Sequence, residues 1–262
     1  MPEFLIKVCV FIFGSIIGSF LNVCIYRMPR ELSVNKPKRS FCPNCNKQIV
    51  WYDNIPFLSY LLLGGKCRFC KKHISFNYFF VEFLTAILLV FLYGFFGMSV
   101  KFFVYGVLSC ALVVATFIDF DFQIIPDEIT LGGLVIGIVL SIIFPVLHGA
   151  ESRIAALFQS VLGVLAGGGS IYMIGKVGEM TFKKESMGGG DVKFLAMIGS
   201  ILGWKMALLI FFIAPFFGAI VGIIMKLKKG AEVIPYGPYL SLATFLVILW
   251  GKEILKYLFP IY

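Results

Sequence analysis

Charged residues are scarce in this sequence. Asp, Glu, Lys and Arg make up 14% of its 262 residues, against about a quarter in an ordinary soluble domain. Hydrophobic residues make up 60%, which excludes a typical soluble globular protein. The first apolar run also lacks a basic leader and an A-x-A cleavage site. We therefore expect it to remain as a helix and not to be removed as a signal peptide.

Long apolar runs take the place of the missing charge. A bilayer core of about 30 Å is crossed by roughly 20 helical residues. We count eight candidate runs, of which the sixth is the shortest: about 4–26, 79–97, 102–118, 129–147, 154–176, 191–204, 206–225 and 239–258. The sequence thus predicts an all-α polytopic membrane protein of about eight transmembrane helices, with one small loop domain between the first two runs.

Lys and Arg are distributed unevenly between the loops. The 27–78 segment holds ten, and loops predicted on the same side hold six more, whereas six lie opposite and Lys193 begins a helix. Because cytoplasmic loops are enriched in Lys and Arg, we expect 27–78 in the cytoplasm and both termini outside. The net charge of +9 then indicates contact with anionic lipid headgroups and not with nucleic acid.

Two aspartates stand where membrane proteins rarely tolerate a charge. Asp119 ends the third apolar run, and Asp191 closes Gly188-Gly189-Gly190-Asp191 and opens the sixth. The predicted topology places the 119–128 and 177–190 loops at the same cytoplasmic face. Two carboxyl groups that face each other can share a proton and activate a water molecule, so the pair predicts a site of peptide hydrolysis.

Simpler roles are open for these and neighbouring carboxylates. Asp191 could cap a helix, but this leaves the three preceding glycines unexplained, whereas glycines would permit close approach of an extended substrate strand. Asp127 follows Pro126 and is predicted to be the N-cap of the next helix. Asp121 could be a solvated loop residue.

The cysteines predict a second site. Cys42-Pro43-Asn44-Cys45 and Cys67-Arg68-Phe69-Cys70 are two C-x-x-C motifs separated by 21 residues. Four thiolates suit a tetrahedral structural zinc. A pair of disulfides is disfavoured in a cytoplasmic loop, and a redox motif would need a βαβ context that is missing. His73 could replace one thiolate but is not required. Cys9, Cys24 and Cys110 are predicted to pack in the interior.

The other glycine patterns predict packing. Gly14/Gly18, Gly133/Gly137 and Gly218/Gly222 have the G-x-x-x-G spacing of closely packed transmembrane helices. Gly167-Gly168-Gly169 lacks the Lys and the preceding strand of a phosphate-binding loop.

Two other classes of function are an ion- or proton-coupled transporter that uses Asp119 and Asp191 as relays, and a zinc-bearing scaffold. Neither explains both the cysteines and the carboxylates.

Taken together, the motifs resemble one known family, the type IV prepilin peptidases. The resemblance covers nearly the whole chain. Besides both C-x-x-C motifs, the matching segments are Gly18-Ser19-Phe20-Leu21-Asn22-Val23, Tyr26-Arg27-Met28-Pro29, Trp51-Tyr52-Asp53-Asn54-Ile55-Pro56, Ile74-Ser75, Glu82, Asp119 with Ile125-Pro126-Asp127, Gly188-Gly189-Gly190-Asp191-Val192-Lys193 and Pro235-Tyr236-Gly237-Pro238.

This resemblance implies a bifunctional enzyme of the bacterial inner membrane. Asp119 and Asp191 would be its catalytic aspartates, in the G-x-G-D arrangement of membrane aspartic proteases. Its substrates would be prepilins or pseudopilins, cut on the cytoplasmic side just before their hydrophobic helix. It would also transfer a methyl group from S-adenosylmethionine to the new N-terminal amine. That activity, and its location between Gly18 and Glu82, rest on the resemblance alone.

The same reading divides the chain into three parts. Residues 1–26 form the first transmembrane helix, 27–78 the cytoplasmic zinc-binding domain with Cys42, Cys45, Cys67 and Cys70, and 79–262 the transmembrane peptidase domain.

In the expected mechanism, one aspartate is ionised and acts as general base on a water. The other is protonated and polarises the scissile carbonyl.

Overall fold

The computed structural model describes residues 2–183, 187–229 and 235–258, and these residues are almost entirely helical. They form nine α-helices, with three short 3-10 turns and two isolated β-bridges. The helices are α1 (Glu3–Arg27), α2 (Leu58–Leu62), α3 (Phe76–Phe96), α4 (Val100–Phe122), α5 (Asp127–Ile143), α6 (Arg153–Phe182), α7 (Gly189–Leu202), α8 (Trp204–Lys229) and α9 (Gly237–Leu258). The all-α prediction is confirmed.

The eight long helices coincide with the eight predicted apolar runs, and α2 lies within the 27–78 segment. Six of them are long and apolar enough to cross a membrane, which makes the chain a multipass membrane protein. The other two are α5, with 17 residues, and α7, with 14. At 1.5 Å per residue, α7 is only about 21 Å long, shorter than a bilayer core of about 30 Å. The count of eight spans therefore stays a prediction.

Some helix boundaries differ from the predicted ones. α6 continues to Phe182, past the predicted end at 176, and α4 continues to Phe122, so that Asp119 lies inside its last turn. α3 begins at Phe76 because the hydroxyl of Ser75 accepts a hydrogen bond from the Asn77 N–H at 3.2 Å. Lys184 and the side chains of Lys226, Lys228 and Lys229, all counted in the charge asymmetry, lie outside the described residues.

The chain divides into two compact units, residues 1–114 and 115–262. In the first unit, α1 packs along α3. A methyl group added at Gly14 would lie 2.7 Å from the Cα of Ala86, and one added at Gly18 would lie 2.6 Å from the Cα of Glu82. The glycines therefore allow the two helix backbones to approach, as the G-x-x-x-G spacing predicts.

The second unit is built around α7, which packs against α5, α6, α8 and α9. All residues from Phe194 to Leu202 are buried, as expected for a helix that is hydrophobic on every side. The backbones of Gly163 in α6 and Gly199 in α7 meet directly, and Gly167 packs against the backbone of Leu195. Gly167 and Gly168 of the Gly167-Gly168-Gly169 segment thus serve helix packing, whereas a methyl group at Gly169 would meet nothing within 4 Å.

Two smaller predictions are wrong. The N-cap of α5 is Pro126, without a side-chain cap, and Asp127 is already the first helical residue. The cysteines predicted in the interior are exposed at Cys9 and half-buried at Cys24 and Cys110. In a membrane protein an apolar position on a helix can face lipid as readily as protein, so hydrophobicity alone does not predict burial.

Candidate active site

Asp119 is a buried carboxylate in the last turn of α4, with only 5% of its surface exposed. Its Oδ2 accepts a hydrogen bond of 2.9 Å from the backbone N–H of Gly237. Gly237 is the first residue of α9. The first N–H groups of a helix have no partner within the helix and carry its positive dipole end. The N-terminus of α9 is therefore well placed to bind a carboxylate.

The absence of a side chain at Gly237 makes this contact possible. A methyl group there would lie 2.8 Å from Asp119 Oδ2 and 3.2 Å from Ile125 Cδ1. A methyl at Gly190 would lie 3.4 Å from Ile125 Cβ. Ile125 thus contacts both the start of α9 and the start of α7, and brings the two helix N-termini together beside Asp119.

Asp191 is the third residue of α7 and is only partly exposed to solvent. The N-cap of that helix is Gly188, and the Asp191 carboxyl group accepts a hydrogen bond from the Gly188 N–H. This contact caps the first turn of the helix. The Asp191 carboxyl group lies within range of an electrostatic interaction with the Asp119 carboxyl group. The structure thus brings together the two aspartates that the sequence places 72 positions apart.

The three glycines before Asp191 are not required by the protein's own packing. None of them has a left-handed φ, and Gly188 has an ordinary φ of −69°. A methyl group would meet nothing closer than 3.4 Å at Gly188 or Gly190, and nothing within 4 Å at Gly189. The space beside Gly189 is open, and a methyl group at Gly188 or Gly190 would reach only ordinary van der Waals contact. This agrees with the expected approach of an extended peptide.

Tyr236 completes this cluster and was not singled out by the sequence beyond its place in Pro235-Tyr236-Gly237-Pro238. Its hydroxyl group is buried and has no hydrogen-bond partner among the described residues. Burial and the negative charge of Asp191 raise the pKa of Tyr236 to about 12. The hydroxyl therefore keeps its proton at neutral pH and is available as a hydrogen-bond donor.

Two other carboxylates lie outside the cluster. Asp127 accepts hydrogen bonds of 2.8 and 2.9 Å from Lys193 Nζ, which ties the start of α5 to α7. This exposed ion pair replaces the predicted capping role of Asp127. Asp121 is exposed, as expected for a solvated residue.

The four cysteines of the 27–78 segment form one cluster in the first unit. The sulfur atoms of Cys42, Cys45, Cys67 and Cys70 all lie within 4.8 Å of one another, and those of Cys42 and Cys70 are 3.9 Å apart. Neighbouring sulfurs of a tetrahedral zinc site with Zn–S bonds of about 2.3 Å are separated by about 3.8 Å. The donor set and its spacing therefore fit a tetrahedral metal ion.

The two cysteine motifs have the same backbone geometry. In the first, the Cys42 N–H donates to Lys47 O and the Asn46 N–H to Cys42 O; in the second, the Cys67 N–H donates to Lys72 O and the Lys71 N–H to Cys67 O. Asn46 and Lys71, each directly after the second cysteine, both have a left-handed φ. Each tight turn points two sulfurs the same way, so two turns supply the four ligands.

Arg27 holds the chain between α1 and the first cysteine motif. The residue is 3% exposed, and its guanidinium group donates hydrogen bonds to four backbone carbonyls at 2.8 to 3.3 Å, those of Ser33, Val34, Pro37 and Arg39. A guanidinium group offers five donors in a rigid plane. This role is not visible in the sequence, where Arg27 follows an apolar run and belongs to the matching segment Tyr26-Arg27-Met28-Pro29.

A cavity of about 350 Å³ lies in the first unit, between the helix ends and the cysteine segment. Its walls come from α1, α3 and both cysteine motifs, and include Asn22, Tyr26, Phe41, Tyr78 and Glu82. Asn22 is buried and donates a hydrogen bond of 2.9 Å to the carbonyl of Tyr78. The cavity has the size and the mixed aromatic and polar lining of a small-molecule site.

Glu82 is one of two acidic residues that line this cavity, the other being Asp53, and it is 9% exposed. Its Oε2 accepts a hydrogen bond of 3.0 Å from the backbone N–H of Phe57. Phe57 has a φ of +61°, a conformation that costs an aromatic residue of order 1–3 kcal/mol. Its ring lies 5.4 to 6.3 Å from those of Phe11, Phe79 and Phe83. These contacts hold the backbone so that its N–H faces Glu82.

Comparison with known proteins shows which family the chain belongs to. The model of the bacterial peptidase A24 N-terminal domain matches residues 12–96, and that of the type IV leader peptidase family matches residues 106–223. A prepilin leader peptidase/N-methyltransferase of Pseudomonas aeruginosa is 34% identical over 273 residues, covering 95% of this chain and 91% of the relative. The chain belongs to the type IV leader peptidase family.

Other relatives carry the same name. The prepilin leader peptidase/N-methyltransferase of Aeromonas hydrophila is 35% identical over 95% of this chain and 92% of its own length. That of Myxococcus xanthus is 39% identical over 86% of this chain and 65% of its own length. No solved structure matches the chain. Within the family match, the A24 N-terminal domain contains the cysteine cluster and Glu82, and the leader peptidase match contains Asp119 and Asp191.

Proposed function

We propose that this protein is a membrane aspartic endopeptidase that removes the leader of type IV prepilins or pseudopilins and methylates the new N-terminal residue. The observation that carries the proposal is that Asp119 and Asp191 lie within range of an electrostatic interaction, with Asp119 bound to the N-terminus of α9. The names of the relatives support the substrate and the second activity. The transporter alternative has no support from these relatives.

Peptide hydrolysis follows from the two carboxyl groups. The ionised aspartate takes a proton from a water molecule, whose oxygen attacks the scissile carbonyl carbon. The protonated aspartate donates its proton to the carbonyl oxygen, and a tetrahedral diol results. When this intermediate collapses, the C–N bond breaks, one carboxyl group protonates the leaving nitrogen, and the other carboxylate takes the proton of a diol hydroxyl, so that the pair again shares one proton. The two groups titrate as a unit, so the base and acid roles belong to the pair.

We place methyl transfer in the cavity of the first unit. S-adenosylmethionine would supply an electrophilic methyl group to the amine, a reaction that depends mainly on positioning. The carboxylate of Glu82 is suited to hold the new N-terminal ammonium group and to accept its proton, so that a neutral amine attacks. The aromatic rings of Tyr26, Phe41 and Tyr78 suit an adenine ring and a sulfonium cation.

The cysteine cluster has a structural role in this proposal. Zinc bound by Cys42, Cys45, Cys67 and Cys70 would cross-link two short turns that bury little apolar surface of their own. Because both motifs line the cavity, the metal would also fix its walls. The proposed division is a first transmembrane helix at 1–26, a zinc-binding domain at 27–78 and a peptidase domain at 79–262.

The charge asymmetry supports an orientation in the bacterial inner membrane. It places the 27–78 segment and the aspartates at the cytoplasmic face and both termini outside. A prepilin leader is still in the cytoplasm before cleavage, so this orientation gives the enzyme access to it.

Reciprocal variants test the proposal with the purified protein in detergent. Asp119→Asn or Asp191→Asn should abolish cleavage of a prepilin peptide but spare methylation of a pre-cleaved peptide, measured by mass spectrometry with labelled S-adenosylmethionine. Glu82→Gln should lower methylation and spare cleavage. Asp127→Asn is the matched control, because losing an exposed ion pair costs about 0–1 kcal/mol. Full cleavage by the Asp191→Asn protein would disprove the aspartate pair.

A further inference from the structure

The hydroxyl group of Tyr236 is an unusual feature of the second unit. It is buried, yet no described residue accepts its proton or donates to its oxygen. A buried polar group without a partner costs free energy, because it has lost its hydrogen bonds to water. Phenylalanine would fill the same space without this cost. The stability of the fold therefore does not explain the hydroxyl.

The surroundings of the hydroxyl indicate what it is for. Tyr236 directly precedes Gly237, whose N–H binds Asp119 Oδ2 at 2.9 Å. It also lies close enough to Asp191 for the charge of that carboxylate to act on the phenol. One short turn before α9 therefore places a backbone donor on one aspartate and a side-chain donor near the other.

The phenol is suited to donate a hydrogen bond and not to transfer a proton. With a pKa of about 12, it remains protonated over the range in which carboxyl groups act. No described residue accepts from it, so a bound substrate can supply the acceptor. During hydrolysis, negative charge develops on the carbonyl oxygen of the scissile bond, and a preorganised donor in a dry site stabilises that charge strongly.

We propose that Tyr236 is a third catalytic residue, whose O–H donates a hydrogen bond to the scissile carbonyl oxygen as the tetrahedral intermediate forms. No bond to the phenol is made or broken, and its proton stays on the oxygen. The protonated aspartate and Tyr236 would contact this oxygen from two directions. The inference rests on the proposed peptidase function.

The test compares Tyr236→Phe with Tyr172→Phe, which removes a hydroxyl from an exposed tyrosine of α6. For Tyr236→Phe we expect kcat to fall by about 10²-fold, the usual loss for one oxyanion donor, with KM within about twofold. The unfolding temperature should stay equal or rise, because the unsatisfied hydroxyl is gone. Tyr172→Phe should change none of these values.

A second measurement separates catalysis from structure. A peptide inhibitor with a phosphinate in place of the scissile bond mimics the tetrahedral intermediate, and it should bind Tyr236→Phe more weakly by the factor lost in kcat/KM. Unchanged kcat and inhibitor affinity would overturn the inference, as would a loss of activity that follows a lower unfolding temperature. If Asp191→Asn cleaves normally in the same assay, the proposed function fails instead.

Discussion

Gly237 offers a way to displace the proposed catalytic pair without changing any charge. The residue has no left-handed φ, so alanine fits its backbone conformation. A methyl group would, however, lie 2.8 Å from Asp119 Oδ2, where ordinary contact begins at 3.4 Å. The carboxylate would have to withdraw by about 0.6 Å (3.4 − 2.8), or α9 would have to shift by the same amount. Ile125, at 3.2 Å from the same methyl, limits the second movement.

A displacement of this size should act mainly on the chemistry. The hydrogen bond from the Gly237 N–H to Asp119 is 2.9 Å long, and such bonds weaken when they are stretched beyond about 3.2 Å. A misplacement of about 1 Å can cost 10²-fold in rate, so Gly237→Ala should lower kcat for prepilin cleavage by about ten- to a hundredfold. Methylation of a pre-cleaved peptide, which we propose takes place in the cavity of the first unit, should keep its rate.

The control is Gly132→Ala, in α5 of the same unit, where a methyl group meets nothing within 4 Å. It should cleave at the wild-type rate and be at least as stable, because alanine favours a helix by about 0.5–1 kcal/mol over glycine. Both variants would be assayed for cleavage of a synthetic prepilin peptide and for thermal unfolding. A folded Gly237→Ala protein with wild-type kcat would refute the argument that this contact positions Asp119.

Two further predictions concern the metal and the substrate path. The purified protein should carry about one zinc per chain. Because structural zinc contributes folding free energy, the double variant Cys42→Ser with Cys45→Ser should lose the metal, become sensitive to protease in the 27–78 segment and methylate more slowly. Metal-free protein with a protease-resistant segment would contradict this prediction. Gly189→Ala should fold normally, since its methyl group meets nothing within 4 Å. It should raise KM for the prepilin peptide, because the methyl group hinders the approach of the peptide. An unchanged KM would show that the glycines do not make room for substrate.

Much of the fold could be predicted from local sequence properties. The eight long helices follow from apolar runs, because each run satisfies its own backbone hydrogen bonds in lipid whatever its neighbours are. The four cysteines could be grouped because a C-x-x-C turn has a fixed local geometry that the two motifs repeat. Asp119 and Asp191 could be singled out because placing a carboxylate beside a membrane-spanning run costs free energy, so its presence indicates a function.

What the sequence by itself determined, then, is the set of helices, the grouping of the cysteines and the two carboxylates to be explained. Only the tertiary structure decided what those groups contact. The partner of Asp119 is a backbone N–H 118 positions away along the chain. Glu82 accepts a hydrogen bond from the N–H of Phe57, which has a left-handed φ. The Tyr236 hydroxyl has no partner among the described residues. These contacts depend on how closely the helices and the segments between them approach one another within each unit. That distance is set by the sum of many side-chain and glycine contacts along each interface, and no single motif specifies it.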